Sequence, residues 1–511
     1  MDIARSPAQD VKPRRRDLLP RGAPLSASLA NNLTGGNYVI NVQVGTPPQQ
    51  IALAIDTGSS DVWVLDVTTD LCSDLSMHAE VGTGCQTPFD HTKSSSFNVV
   101  DPNGFDIQYG DGSSATGDYF TDVLTVGGAS VKAQQMGIAS NATLTPGLLG
   151  IGYDLNEASN NAASSDSSPS VYSSIIDSMV TQGLISTKAY SLYLNDLQAS
   201  TGSIIFGGLD SDKYHGDLWQ MPIIPYTLED GSSIYSQFTV ALTSYAITTP
   251  GNTTTLTNQT YTAPVILDSG TSLTLLPEEL AYQIFHKFDA VVDEASSITF
   301  VDCAVLRKHP QLTFDFGFGG PSGFAIRVPI NEIIFETTGP FSLDGFQPDV
   351  PFTDICVMGI SPQSQEPYIL GDTFLRSAYV VYDLKNNLIA MAQTNFNSTT
   401  SSIVEFAADA TAIPSVSGVA SAVSATETAT GILPVGGGKT STANPTATNT
   451  GGSGRTTATG SSGSSSTASS TSAPDKNNAG VASVPAFDMR GLMVMGMSAA
   501  FAVFGAGFTL A

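Results

Sequence analysis

Two short runs of this chain match each other across a separation of 212 residues. Residues 51–65 read Ile-Ala-Leu-Ala-Ile-Asp-Thr-Gly-Ser-Ser-Asp-Val-Trp-Val-Leu, and residues 263–276 read Ala-Pro-Val-Ile-Leu-Asp-Ser-Gly-Thr-Ser-Leu-Thr-Leu-Leu. Each is an apolar, β-forming run that carries one carboxylate into a buried position, turns on a hydroxyl residue and a glycine, and resumes as an apolar run. A bare charge in such a place is expensive, so each Asp needs a partner, hydroxyl donors or a proton. The duplication offers all three. It reads as two related halves, each giving one carboxylate, Asp56 and Asp268, to a shared site.

The halves also end alike. Leu148-Leu149-Gly150-Ile151 follows the first Asp and Ile369-Leu370-Gly371-Asp372 the second. Between Asp56 and the first of these lies Ile107-Gln108-Tyr109-Gly110-Asp111-Gly112-Ser113, and Gly-Asp-Gly between β-rich segments is a hairpin-turn signal. Together with Gly45-Thr46-Pro47-Pro48-Gln49, an early hairpin, these motifs resemble the pepsin-like aspartic proteases over residues 38–394. The resemblance implies an all-β, bilobal fold with a central cleft between two related lobes, placed here at 35–225 and 226–400. It implies Asp56 and Asp268 as the catalytic pair. Thr57 and Ser269 would knit the lobes together, Ser59 and Thr271 would donate to the outer carboxylate oxygens, and Gly58 and Gly270 would allow the tight turns. Tyr109, Gly110 and Asp111 would form a flap over substrate, and Trp63 is a core aromatic that could also orient Tyr109. No cofactor is implied.

The chemistry follows from the pair. Two carboxyls held close together cannot both ionise comfortably, so they share a proton over a wide pH range. One takes a proton from a water while the other donates to the carbonyl oxygen of a peptide, giving a tetrahedral diol without a covalent enzyme intermediate. The expected function is an aspartic endopeptidase acting at acidic pH on extended peptide or protein substrates, as a monomer. A non-catalytic pepsin-fold binding module would be expected to lose an Asp or a turn residue, and both triplets are whole. A two-carboxylate glycosidase does not call for a mirrored Asp-Thr/Ser-Gly pair.

Charge narrows the partners. With 46 acidic and 20 basic residues the net charge is −26, the opposite of a nucleic-acid footprint and suited to an acidic environment. The five histidines are scattered and lack metal-site spacing, so no metal is expected. Cys72 and Cys85 flank a short polar loop in the first half, while Cys303 and Cys356 both lie in the second. One bridge per half, 72–85 and 303–356, is the pairing many family members show; buried free thiols are the alternative.

Along the chain, residues 1–34 are assigned as a basic tail, the remnant of a propeptide with Arg14-Arg15-Arg16 as a processing site. They hold no apolar core of a signal peptide. The remainder looks secretory, so Met1 is expected to lie inside a longer reading frame. Strands are expected near 38–44, 51–55, 62–65, 190–194 and 203–206, helices at 171–182 and 277–288, a surface loop at 156–170, and a closing hairpin at 378–392. Sequons stand at Asn32, Asn141, Asn252, Asn258 and Asn397. Residues 401–480, rich in Ser, Thr, Ala and Gly, read as a disordered stalk. Residues 481–511 read as a glycolipid-anchor signal: small residues around a candidate attachment site at Asn478, a spacer, then 21 uncharged and mostly apolar residues, with a retained tail-anchored transmembrane helix as the alternative. That tail, with the insertion between Cys72 and Cys85, is similar to the fungal yapsin-like branch, in which cleavage near Lys or Arg is common. Basic and broadly hydrophobic preferences both remain open. The location implied is the secretory route to the outer face of the plasma membrane or the cell wall.

Overall fold

Apolar runs punctuated by Gly, Pro and Asn leave this chain little choice but short strands, and the sheet ladders show how the two halves use them. In the computed structural model the chain is described over residues 22–32, 36–73, 85, 87–161, 170–227, 231–293, 296–337 and 348–421. Arg14–Arg16, Asn478, the anchor signal and the stalk beyond 421 lie outside these residues.

In the first half, Asn37–Val44 turns through residues 45–48 into Gln49–Asp56, and the pair is antiparallel with Val44 opposite Gln49. Gln49–Asp56 then runs parallel to Gly147–Gly150, with Asp56 opposite Gly150. The second half repeats the device: Ala263–Leu267 runs parallel to Tyr368–Leu370, with Leu267 opposite Leu370. Each acid is therefore delivered from a buried stretch of strand, residues 53–56 in the first half and Ala263–Leu267 before Asp268 in the second, braced by its Leu-Gly partner. Parallel pairing buries both faces, which is why these runs are continuously apolar instead of alternating.

One 14-stranded sheet holds most of the first half, and an eight-stranded and a four-stranded sheet hold most of the second. The division is not clean at residue 225. The hairpin Ala378–Asp383 and Leu388–Thr394 belongs by sequence to the second half, yet it lies in the large sheet between Ala189–Tyr193 and Tyr214–Pro222. Asn387 takes a positive φ of 54° at its turn, as the Asn-Asn pair suggests. The second predicted helix is Glu278–Phe288, opening after Pro277 with Glu278 and Glu279 in its first turn; the first is shorter than expected, Ile175–Thr181, capped by the Ser174 hydroxyl.

Three boundaries are corrected. Leu25–Asn32, placed by sequence in the basic tail, is a strand between Thr201–Phe206 and Asn37–Val44, with Leu25 and Leu29 buried. The stalk does not begin at 401: Ile403–Glu405 pairs with Gly208–Asp210, Gly418–Val419 pairs with Tyr214–Pro222, and Phe406, Ile413 and Ala420 are buried. In both places a few apolar residues outweigh a polar average, because a strand needs only alternate positions to be buried. The loop expected at 156–170 opens instead with two short helical turns, Asp154–Asn156 and Ala158–Asn161, and Asn156 and Glu157 are buried; residues 162–169 lie outside the described ones.

Both disulfides are present. Cys72–Cys85 closes the polar loop with Cα atoms 4.7 Å apart, and Cys303–Cys356 ties the helix Ala304–Lys308 to the strand Ile355–Met358 with Cα atoms 5.0 Å apart. Among the described residues no cysteine is free.

Because Leu29 is wholly buried inside the large sheet, Leu29→Ala is expected to destabilise the protein by about 2–5 kcal/mol in urea unfolding. A dispensable tail would show no change.

Candidate active site

The two Asp-bearing turns meet through four hydrogen bonds that mirror each other. Thr57 Oγ1 donates to the Leu267 carbonyl at 2.9 Å, and Ser269 Oγ donates to the Ile55 carbonyl at 3.1 Å. In return, Ser269 N–H donates to Thr57 Oγ1 at 2.9 Å and Thr57 N–H donates to Ser269 Oγ at 3.2 Å. All of these groups are buried, so each bond is made in a low-dielectric setting where leaving it unmade would be costly.

The same turns present the carboxylates. Gly58 N–H donates to Asp56 Oδ1 at 2.7 Å and Gly270 N–H to Asp268 Oδ1 at 2.8 Å. The outer oxygens are served by hydroxyls, Ser59 Oγ on Asp56 Oδ2 and Thr271 Oγ1 on Asp268 Oδ2 at 2.7 Å. The glycines are required by close approach: a Cβ on Gly58 would collide with the Asp268 carboxyl, and one on Gly270 with that of Asp56. Each carboxyl thus lies against the glycine of the opposite turn, which sets the two acids side by side. Burial first, and the neighbouring Asp268 second, push Asp56 up to about 8, against the opposing pull of Ser59 and Gly58. A carboxyl held neutral so far above its ordinary range can donate a proton or a hydrogen bond where a free Asp could not.

The strands Asn98–Gln108 and Ser114–Val126 form the predicted hairpin. Tyr109 N–H donates to the Ser113 carbonyl at 2.8 Å, Gly112 N–H returns to the Tyr109 carbonyl at 3.0 Å, and Gly112 takes the positive φ of 85° that the turn needs. Asp111 Oδ1 caps the turn by accepting from Ser113 N–H at 2.8 Å and its hydroxyl at 2.6 Å. Trp63 Nε1 donates to the Tyr109 hydroxyl at 2.8 Å while its ring is wholly buried in a hydrophobic cluster, so it fills both roles weighed for this tryptophan. Tyr109 is buried, and its hydroxyl is pushed up by burial and then by the charge of Asp56.

Sequence similarity decides the family. Residues 37–394 match the model of the eukaryotic aspartyl protease family. The chain belongs to that family. A probable aspartic-type endopeptidase, opsB, of Aspergillus fumigatus is 36% identical over 419 residues, covering 82% of this chain and 81% of its own. Aspartic proteinase 3 of Saccharomyces cerevisiae is 31% identical over 430 residues, covering 72% of this chain and 71% of its own. The crystal structure of the aspartic proteinase from Irpex lacteus aligns with a TM-score of 0.56 at 23% identity, covering 74% of this chain and all of that one. The protein is an aspartic endopeptidase with the pepsin-like, mostly β fold.

Three site-adjacent residues escaped the sequence reading. Asn156 Nδ2 donates to the Gly58 carbonyl at 2.8 Å, Asp61 is wholly buried five residues after Asp56, and Asp372 is buried beside the second turn with its N–H on the Thr271 carbonyl at 2.8 Å. The two acids stand inside the matched motifs and could have been suspected there. Asn156 sits in a polar stretch that gives no signal.

In this protease, Ser59→Ala removes a hydrogen bond that favours the ionised form of Asp56. The alkaline limb of kcat/KM, set by loss of the Asp56 proton, is expected to move to higher pH, by about 1 unit for a bond worth about 1.4 kcal/mol; a pH-rate profile on a fixed peptide checks it.

Proposed function

We propose that Asp56 and Asp268 hydrolyse peptide bonds together, at acidic pH, through an activated water. One carboxylate takes a proton from the water as its oxygen attacks the carbonyl carbon. The other, protonated, donates to the carbonyl oxygen, and the tetrahedral diol collapses when a proton reaches the nitrogen and the amine leaves. The observation that carries this reading is the side-by-side placement of two buried carboxyls, one of them held neutral well above its ordinary range. Tyr109, tied to Trp63 at the hairpin, would close over an extended peptide and exclude water. The protein acts as a monomer on this reading.

For specificity, a preference for Lys and Arg is favoured over a broad hydrophobic one by one feature of the hairpin. Asp111 Oδ2 is buried with no hydrogen-bond partner, next to Gly110 and two residues from Tyr109. An ammonium or guanidinium would satisfy it.

The protein is further read as secreted and held at the cell surface by a glycolipid. The apolar terminal residues 491–511, the Ser/Thr-rich stretch before them and the five sequons support this. Four of the sequon residues, Asn141, Asn252, Asn258 and Asn397, are exposed, and Asn32 is half-buried.

Purified protein is expected to cleave peptides below about pH 6, where a carboxyl pair keeps its shared proton. A statine-type mimic of the tetrahedral diol should block it, and Asp56→Asn or Asp268→Asn should abolish it. Unchanged proteolysis in either variant refutes the mechanism. Profiled on a peptide library, cleavage should concentrate at Lys and Arg, and Asp111→Asn should disperse it. Treating intact cells with a phosphatidylinositol-specific phospholipase should release the protein; resistance, with residues 491–511 still attached by mass spectrometry, would exclude the glycolipid.

A further inference from the structure

A second buried pair of carboxyls lies behind the Asp56 turn, and the proposed chemistry does not use it. The short turns Asp154–Asn156 and Ala158–Asn161 are each hydrogen-bonded to the segment 58–61. Asn156 is 1% exposed, hands its Nδ2 to the Gly58 carbonyl, and leaves Oδ1 buried without a partner. Ser60 Oγ donates to the Tyr153 carbonyl at 2.6 Å, and Ala158 N–H donates to Asp61 Oδ2 at 2.7 Å. Asp61 Oδ1 takes two phenols, Tyr119 at 2.9 Å and Tyr172 at 2.8 Å. Tyr172 also donates its backbone N–H to Glu157 Oε2 at 2.9 Å, while Glu157 Oε1 has no partner. Asp61 and Glu157 are each 0% exposed.

The groups that face this pair come from every element packed on it. They are Tyr119 of Ser114–Val126, Tyr172 ahead of Ile175–Thr181, Tyr109 of the hairpin, Asp154 from the same turn, and Asp177, which is ion-paired to Lys188. Among the described residues no Lys, Arg or His is hydrogen-bonded or ion-paired to either carboxyl. Two carboxylates in such a place cannot both stay charged without water or a cation. A second charge would push residue 157 away from residue 61. That pulls Asn156 off the Gly58 carbonyl, and Gly58 is the residue whose N–H fixes Asp56 Oδ1.

We propose that residues 156–158 are a positioning clamp for the Asp56 turn, and that the Asp61–Glu157 pair opens this clamp once both carboxyls are ionised. Asn156 and Glu157 are positioning residues that touch no reacting atom; they act through Gly58. Burial, and after it Asp61, raise Glu157 to about 10, and burial raises Asp61 as well. A carboxyl whose folded value is raised contributes stability that is fully present below its unfolded value. That contribution declines as pH rises and is gone above the folded value, so the clamp weakens from about pH 4.5 upward. The proposal rests on the reading of Asp56 as a catalytic carboxylate only for its effect on turnover.

The test incubates the full chain across pH 5–9, returns it to acid, and reads residual peptidase activity alongside hydrogen exchange corrected for intrinsic rate. Glu157→Gln keeps the shape and removes one charge, so its pH of half-loss should lie about 1 unit or more above that of the unsubstituted protein. Asp61→Asn should shift it in the same direction. Asn156→Ala should lower kcat about tenfold with KM little changed, the signature of lost alignment, not lost binding. In the unsubstituted protein, exchange at residues 57–61 and 153–161 should rise together with pH, ahead of the remaining sheet. Coincident half-loss values overturn the clamp, and so does exchange that rises uniformly; the second readout decides even if the variants fail to fold. An active Asp56→Asn enzyme would overturn the two-carboxylate mechanism while leaving both clamp readouts in force.

Discussion

The reciprocal hydrogen bonds between Thr57 and Ser269 are the constraint on which the site depends. Each residue serves as donor and acceptor to the opposite turn, so neither turn can shift without breaking two buried bonds at once. Two carboxylates would not approach each other unaided; the attraction that holds them together is made one residue further along each chain. The cross-half hairpin at 378–394 adds a second tie: it places strands of the second half inside the sheet of the first.

Much of this was legible in the sequence because a duplicated motif carries its own register. The Asp-Thr-Gly and Asp-Ser-Gly runs, their Leu-Gly braces and the Tyr-Gly-Asp-Gly turn all occupy the positions the pattern implies. What was not legible has a common cause. The strand Leu25–Asn32, the ordered chain through 421 and the buried turn at 154–161 are polar on average, and each is ordered by a few residues whose partners lie far away. Asn156 reaches Gly58 across 98 positions and Leu25 pairs with Phe206. Local composition cannot report contacts of that kind, because tertiary packing, not propensity, decides them. The 225/226 division fails for the same reason: sequence order separates two strands that the sheet joins.

Buried acids dominate the electrostatics around the site. Asp56, Asp61, Glu157 and Asp372 are all pushed above their ordinary range, in each case chiefly by burial, and Asp372 leaves Oδ1 without a hydrogen-bond partner. The sign is the same for all four. Each binds its proton more tightly folded than unfolded, so each favours the folded chain in acid and turns against it as pH rises. Arg376 is the buried cation nearby, and it is already engaged by Glu332 at 2.5 Å with further support from the Glu332 carbonyl. The excess of acids over bases in the whole chain is thus repeated in its interior, where it costs most.

That repetition sets the relation between catalysis and stability. A carboxyl pair can keep its shared proton only in a dry, acidic enclosure, and the means of making one is to bury acids without cations. Placing a cation beside Asp56 would ease the strain at neutral pH, but it would also draw the carboxyl back toward its ordinary range and remove its ability to donate. The second pair at Asp61 and Glu157 is likewise buried without a cation, and on the proposed clamp it would share the same pH limit. On the proposed mechanism, a loss of activity as pH rises would be a consequence of how the proton is held, and a variant made more tolerant of neutral pH at the inner pair should lose turnover in acid. The outer pair, one layer removed from the reacting atoms, is where tolerance can be raised without that penalty.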